Sequence, residues 1–228
     1  MAETLNIRDL SGRPGINLIG SCDKTITLGK PMIDNLANGT ARLTLVVHQD
    51  DSFPEIEIGG FTGDLTLKLV SKNAKIRIGH LRNVKADFTF YPGGQIDIGD
   101  DTSINGLVAG LLESKITMGK DCMLSHGIHM QPHNQHGIID LETRQLIKHK
   151  RNIVLGDHVW IGRAVSVLAG TKIGDGAIVG ANSVVTKDVE ANTAVAGYPA
   201  RLVRENCTWS RSSLEIDADA AAYLDRLS

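Results

Sequence analysis

From Leu155 to Tyr198 the chain keeps a six-residue beat, and no other feature narrows the possible folds so far. The units open at Leu155-Gly156, Ile161-Gly162, Val167-Leu168, Ile173-Gly174, Val179-Gly180, Val185-Thr186 and Ala191-Asn192. A small or β-branched residue sits four places after each opener: Val159, Val165, Thr171, Ala177, Ser183, Val189 and Val195. No insertion breaks the count. Self-similarity at a fixed period marks a solenoid, in which each repeat buries its apolar face on its neighbours.

A slower repeat precedes it. The pattern apolar-x-apolar-Gly ends at Gly29, Gly59, Gly79, Gly99, Gly119 and Gly156, and Ile173-Gly174 follows. The step is 20 from Ile58 to Ile78 to Ile98 to Met118, and 18 from Leu155 to Ile173. Three six-residue units make an 18-residue turn with three flat sides, and two further residues at a corner make the longer step. Alternation within each unit is the mark of a strand with one buried face. Each corner needs a tight turn, for which glycine with its free positive φ is expected. The predicted fold is therefore all-β, a three-sided parallel β-helix, with looser corners in the N-terminal half. Residues 1–20 read as an N-terminal lead-in, 21–204 as the β-helix and 205–228 as a tail. In the tail Ser212-Ser213 could cap a short α-helix that places Tyr223, Leu224 and Leu227 on one side.

The beat fails between Gln131 and Lys150. That stretch is polar and rich in histidine, and a loop leaving a rigid scaffold is where a site is expected. Its basic run, Lys148-His149-Lys150-Arg151, reads either as a solvated loop or as a phosphate contact. Net charge is -2 and the pI is about 6.4, which argues against a nucleic-acid partner. No apolar run is long enough to span a bilayer, and no secretory signal is visible. Cys22, Cys122 and Cys207 are odd in number and far apart, which suits idle thiols in a cytoplasmic protein.

Gly156-Asp157-His158-Val159-Trp160-Ile161-Gly162, the run Ile173 to Asp188, and Ala196-Gly197-Tyr198-Pro199-Ala200-Arg201 together resemble the hexapeptide-repeat acyltransferases. Within them the chain looks most like the galactoside, maltose and bacterial polysaccharide O-acetyltransferases. The resemblance is strong over residues 116–206, and only the rhythm matches before that. It implies a left-handed coil and a homotrimer with acetyl-CoA, as co-substrate, in a cleft between subunits. No metal is expected. The implied acceptor is a sugar hydroxyl, of a cell-surface polysaccharide or its precursor.

The resemblance also implies roles for single residues. His136 aligns with the catalytic base, and a neutral imidazole suits that work. Asn134 stands where related polysaccharide enzymes carry an acidic residue that orients the base. The charge that Asn134 lacks could come from Asp140 or Glu142, or a main-chain carbonyl could orient the ring instead. Trp160 matches a tryptophan beside the acyl end of CoA. Ala181 matches a pantetheine contact, Thr186 and Lys187 a pair near the adenosine, and Arg201 and Arg204 cations on the CoA phosphates. Arg163 replaces a small hydroxyl residue of the galactoside enzyme at the CoA arm. That enzyme's two sugar-binding positions fall at Ser114 and Gly106, which puts galactosides in doubt; Glu113 could substitute at the first.

Three other functions fit parts of the sequence. His126, His129, His133 and His136 fall close together, as in zinc sites of the γ-class carbonic anhydrases. However, His126 and His129 differ in strand parity and should point to opposite faces. An N-acetyltransferase acting on a nucleotide-linked amino sugar is the nearest rival, although residues 1–50 lack a glycine-rich nucleotide-binding fingerprint. A scaffold without activity is the remaining alternative.

Overall fold

The computed structural model describes residues 1–20, 24–48, 54–70, 73–134, 136–148 and 151–227. Cys22, Gln135, His149 and Lys150 lie outside the described residues. Among these residues the strands form two sheets, of eight and thirteen strands, and nearly all neighbours are parallel. The first sheet stacks Thr25–Leu28, Glu55–Gly60, Lys75–His80, Gln95–Ile98, Lys115–Met118, Ile153–Leu155 and Thr171–Ile173. Its register is set by two interior ladders. One runs Ile26, Ile56, Ile76, Ile96, Ile116, Ile153; the other runs Leu28, Ile58, Ile78, Ile98, Met118, Leu155, Ile173. All these side chains are buried, and each contributes roughly 1.5–3 kcal/mol by leaving water. Slipping one coil by one residue would turn its whole ladder outward.

The second sheet changes character along the chain. Its N-terminal strands are long: Ala41–Val47, Gly63–Leu69, Asn83–Phe90 and Ser103–Leu111. In the next coil the strand is split into Met123–Leu124 and Ile128–Gln131, and then into Trp160–Ile161 and Ser166–Leu168. The break begins as a register shift between Ile104 and Leu107 against Asn83–Phe90. The looser corners expected in the N-terminal half take this form. There, one short and one long strand make each 20-residue coil, because alternation through Asn83–Phe90 runs without a turn residue.

The glycines also differ from expectation. Those ending apolar-x-apolar-Gly do not have positive φ. They are needed because the next coil is too close: a Cβ on Gly99 would lie 2.8 Å from the carbonyl carbon of Gly119, and one on Gly119 would lie 2.7 Å from that of Gly156. From Gly99 onward the left-handed residue stands two places later, and is mostly not glycine. Asp101, Asp121, His158, Gly176 and Asn192 form such a column along one corner, with φ of 61, 53, 55, 67 and 56°. Asp, Asn and His tolerate this region better than other side chains. Asp157 and Asp175 lock the same corner, accepting from the main-chain N–H of Lys120 and Asp157 at 2.8 Å each.

The ends close the core. Ile7–Leu10, a 3-10 turn, buries Ile7 and Leu10 under the first coils. Helix α1 (Lys30–Ala37) was not anticipated; it buries Met32 and Leu36, one turn apart. It explains why Leu28 to Ile58 is a longer step than the later ones, and Pro31 in its first turn was a legible start signal. In the tail, helix α2 (Ala218–Asp225) is capped by Asp217, whose carboxylate accepts from Ala220 N at 2.9 Å. The expected Ser212-Ser213 cap is therefore wrong. Ala220 and Tyr223 are the residues α2 buries, while Leu224 and Leu227 are exposed.

Replacing Gly119 by alanine should cost about 1–3 kcal/mol through forced separation of coils. Thermal unfolding would read this as a lowered midpoint, whereas Gly39→Ala, with nothing within 4 Å of the added carbon, tests positive φ alone.

Candidate active site

The loop leaves the β-helix after Gln131 and rejoins it at Ile153. Pro132 and His133 are still buried against the coil, and beyond them Asn134 and His136 are exposed. The middle of the loop is a small hairpin. Ile139 bridges Leu146, and Ile147 N donates to Ile138 O at 2.8 Å. Asp140 makes its turn by accepting from Thr143 N at 2.7 Å, Thr143 Oγ1 at 2.9 Å and Glu142 N at 3.0 Å. Hydrogen bonds from Thr143 hold this carboxyl below its usual range. Asp140 Oδ1 is thereby committed to the turn. No side-chain hydrogen bond or ion pair fixes His136 or Asn134 among the described residues.

The other predicted residues fall into two groups. Trp160 stands on the outer face of its strand, between Met123 and Ile178 in register. Just past it, one corner stacks His126, Arg163 and Ala181 on successive coils: Ala164 N donates to His126 O, and Asn182 N to Arg163 O, both at 2.8 Å. Arg163 and Ala181 are exposed there. The second group lies at the C-terminal end. The antiparallel pair Ala194–Gly197 and Ala200–Arg204 turns at Tyr198-Pro199. Between it and the last coil, Thr186, Lys187 and Arg201 line one groove with Leu202, of about 480 Å³. Arg204 pairs with Ala194 on that ribbon and is exposed.

Two further polar candidates have partners within the fold. Glu113 pairs with Arg151 of the basic run at 2.7 Å. Ser114 is buried and accepts from Leu112 N at 3.1 Å. His126 sits in a corner rather than on the strand of His129, so the alternation does not connect them, and both are exposed. Among the described residues no three His, Cys, Asp or Glu side chains are grouped as a metal ion would need. Burial pushes the Cys122 thiol up to about 12, leaving it protonated and unreactive.

A buried cluster forms at His158, which no motif in the sequence announces. The tail runs back along the corner column, where Cys207 N meets Asn192 O at 2.9 Å and Thr208 Oγ1 meets Gly176 O at 3.1 Å. Trp209 and Tyr223 stack on the two faces of the fully buried His158 ring, at centroid distances of 4.4 and 4.5 Å. Next, Arg211 Nη2 reaches Asp121 at 2.6 Å, and Nη1 reaches Ser103 Oγ at 2.8 Å. Asp219 on α2 pairs with Arg82 at 2.7 Å. Burial pushes the Asp121 carboxyl up, but hydrogen bonds from His158 and Arg211 outweigh it and hold the group below its usual range. The one sequence signal was the polar pair Asp121 and His158 at equivalent corners, one of them a histidine inside the repeat.

The model of the family described as bacterial transferase hexapeptide (six repeats) matches residues 152–187. The chain is 34% identical over 154 residues to a polysialic acid O-acetyltransferase of Neisseria meningitidis, covering 63% of this chain and 72% of that one. It is 32% identical over 138 residues to a polysialic acid O-acetyltransferase of Escherichia coli O1:K1, covering 60% of this chain but only 45% of the relative's length. A crystal structure of a polySia-specific acetyltransferase superposes with a TM-score of 0.77 at 24% identity, covering 94% of this chain and 95% of the other. The shared fold is the left-handed parallel β-helix.

Because the Asp121 carboxyl is depressed in the folded chain, its contribution is present above the unfolded value of ~3.9 and is lost as pH falls below it. Acidification should therefore release the tail before the coils unfold. Fluorescence of Trp209 and Trp160 would report the step, and Asp121→Asn should show it already displaced at neutral pH.

Proposed function

The chain belongs to the hexapeptide-repeat acetyltransferases, and we propose that it moves an acetyl group from acetyl-CoA to a hydroxyl of a saccharide, in a cell-surface polysaccharide or its precursor. The observation that carries this is positional. The loop bearing the exposed His136 springs from the coil next to the one that presents Trp160, on the same sheet. A base and an acyl-donor wall are thus offered by consecutive coils of a rigid scaffold. The relatives named polysialic acid O-acetyltransferases support a polymeric sugar as acceptor.

In this reading an imidazole nitrogen of His136 takes the acceptor's hydroxyl proton as the oxygen attacks the thioester carbonyl. The carbon–sulfur bond breaks as the tetrahedral intermediate collapses. The CoA thiolate leaves, and the imidazolium returns the proton to it. Trp160 closes the acyl end of the groove. Arg163 and Ala181 lie along the pantetheine arm, while Thr186, Lys187, Arg201 and Arg204 face the nucleotide end.

The loop hairpin supports a homotrimer. Ile138, Ile139, Leu141, Leu146 and Ile147 are exposed together, Leu141 at 88%. A patch of this kind on a surface loop is suited to cover by a neighbouring subunit. The cleft so formed would bring His136 of one protomer to the CoA wall of another.

His136→Ala should lower kcat by about 10²–10⁴-fold in a thiol-release assay with acetyl-CoA, with folding unchanged. Turnover with amino sugars alone in an acceptor panel would overturn the O-acetyl assignment. Leu141→Asp should shift the protein from trimer to monomer in sedimentation experiments, and an unchanged mass would remove the loop from the interface.

A further inference from the structure

Trp160 is 36% exposed on a strand only two residues long, and in register it meets Met123 and Ile178 on the adjacent coils. An indole placed so has several staggered orientations open to it. What stands beside it comes from the tail: the Trp209 ring, 6.3 Å away between centroids and tilted by 46°. Trp209 belongs to an irregular segment, yet it is 95% buried, with a relative exposure of 5%.

The reason is a reciprocal lock with His158, two residues before Trp160. The Trp209 indole Nε1–H donates to His158 O at 2.8 Å, and the His158 ring Nε2 is 3.0 Å from Trp209 O. The other ring nitrogen, Nδ1, lies 2.7 Å from Asp121. A carbonyl oxygen and a carboxylate only accept, so Nε2 donates to Trp209 and Nδ1 to Asp121. Arg211 lies over the indole, its Cζ 5.3 Å from the ring centroid. The positive φ of His158 turns its side chain out of the coil and towards the tail, so two successive outward rings, His158 and Trp160, contact the same indole.

We propose that Trp209 is a positioning residue for acetyl-CoA: pinned by His158, it sets the orientation of Trp160 at the acyl end of the groove. The tail is then part of the donor site. This rests on the reading of Trp160 as the acyl wall. It assigns a role to a residue outside the hexapeptide repeats.

A double-mutant cycle tests it. Trp209→Ala should raise the KM for acetyl-CoA about tenfold, the size of one aromatic pair contact, and leave the KM for the acceptor unchanged. Trp209→Phe, which keeps the stacking on His158, should recover most of the loss. In a Trp160→Ala background the same Trp209 substitution should have almost no further effect, since its route to the ligand is gone. Additive effects, an equal change in both KM values, or an unchanged acetyl-CoA KM would each overturn the proposal. If the alanine variant does not fold, Trp209→Leu and Trp209→Phe complete the same cycle. Calorimetric titration of the wild type with acetyl-CoA separates the two readings. No binding there overturns the proposed function and this role together, whereas binding and turnover with an additive cycle overturns this role alone.

Discussion

A single methyl group on Gly99 or Gly119 would strike the backbone of the next coil, and that closeness is what the rest of the molecule depends on. Coils this near can pair all their strands in parallel and bury one aliphatic ladder after another. The interior then needs no large side chains. It is filled by Ile, Leu and Val at the same height in each coil, with phenylalanines, such as Phe61, Phe88 and Phe90, only in the wider N-terminal part. The cost is that every corner must turn within a few residues. Columns of left-handed residues meet it, and the corners project outward whatever side chains they carry.

Those outward corners carry the residues proposed for the donor site. One column carries His126, Arg163 and Ala181, next to Trp160. Another carries Asp121 and His158, and the tail lies along it from Asn192 to Arg82. A rigid solenoid offers little movement of its own, and in the proposed function both the base and the fastening of the donor wall come from segments that leave the repeat. The loop brings His136 and the tail brings Trp209. In the N-terminal coils the outward charges are instead paired between neighbours, as in Arg42–Asp64 and Lys68–Asp87 at 2.6 Å each. Such exposed pairs contribute about 0–1 kcal/mol each, but they leave those faces electrically balanced.

Much of this was legible in the residues. The Ile-x-Ile ladders, the six-residue beat and the excursion after Gln131 all follow from period alone, because a stacked coil repeats the same burial at the same phase. The errors have physical causes. Glycine was read for its backbone freedom, when in Gly59, Gly79, Gly99 and Gly119 its lack of a side chain matters. The turn that ties down Asp140 Oδ1 was not read either, because it rests on short-range hydrogen bonds with no period. The Ser212-Ser213 cap lost to Asp217, a stronger acceptor placed one residue before the helix.

The order of residues was thus enough for the coil, since each rung depends on neighbours at a constant spacing and the spacing is written in the chain. It was not enough for the tail. Arg82 and Asp219 are 137 residues apart, and His158 and Trp209 are 51 apart. No period links them, and a lone tryptophan among Cys, Thr and Ser carries no mark of its partner. Only the folded chain, which carries the tail back along one corner of the finished prism, decides that Trp209 meets His158 on one side and Trp160 on another.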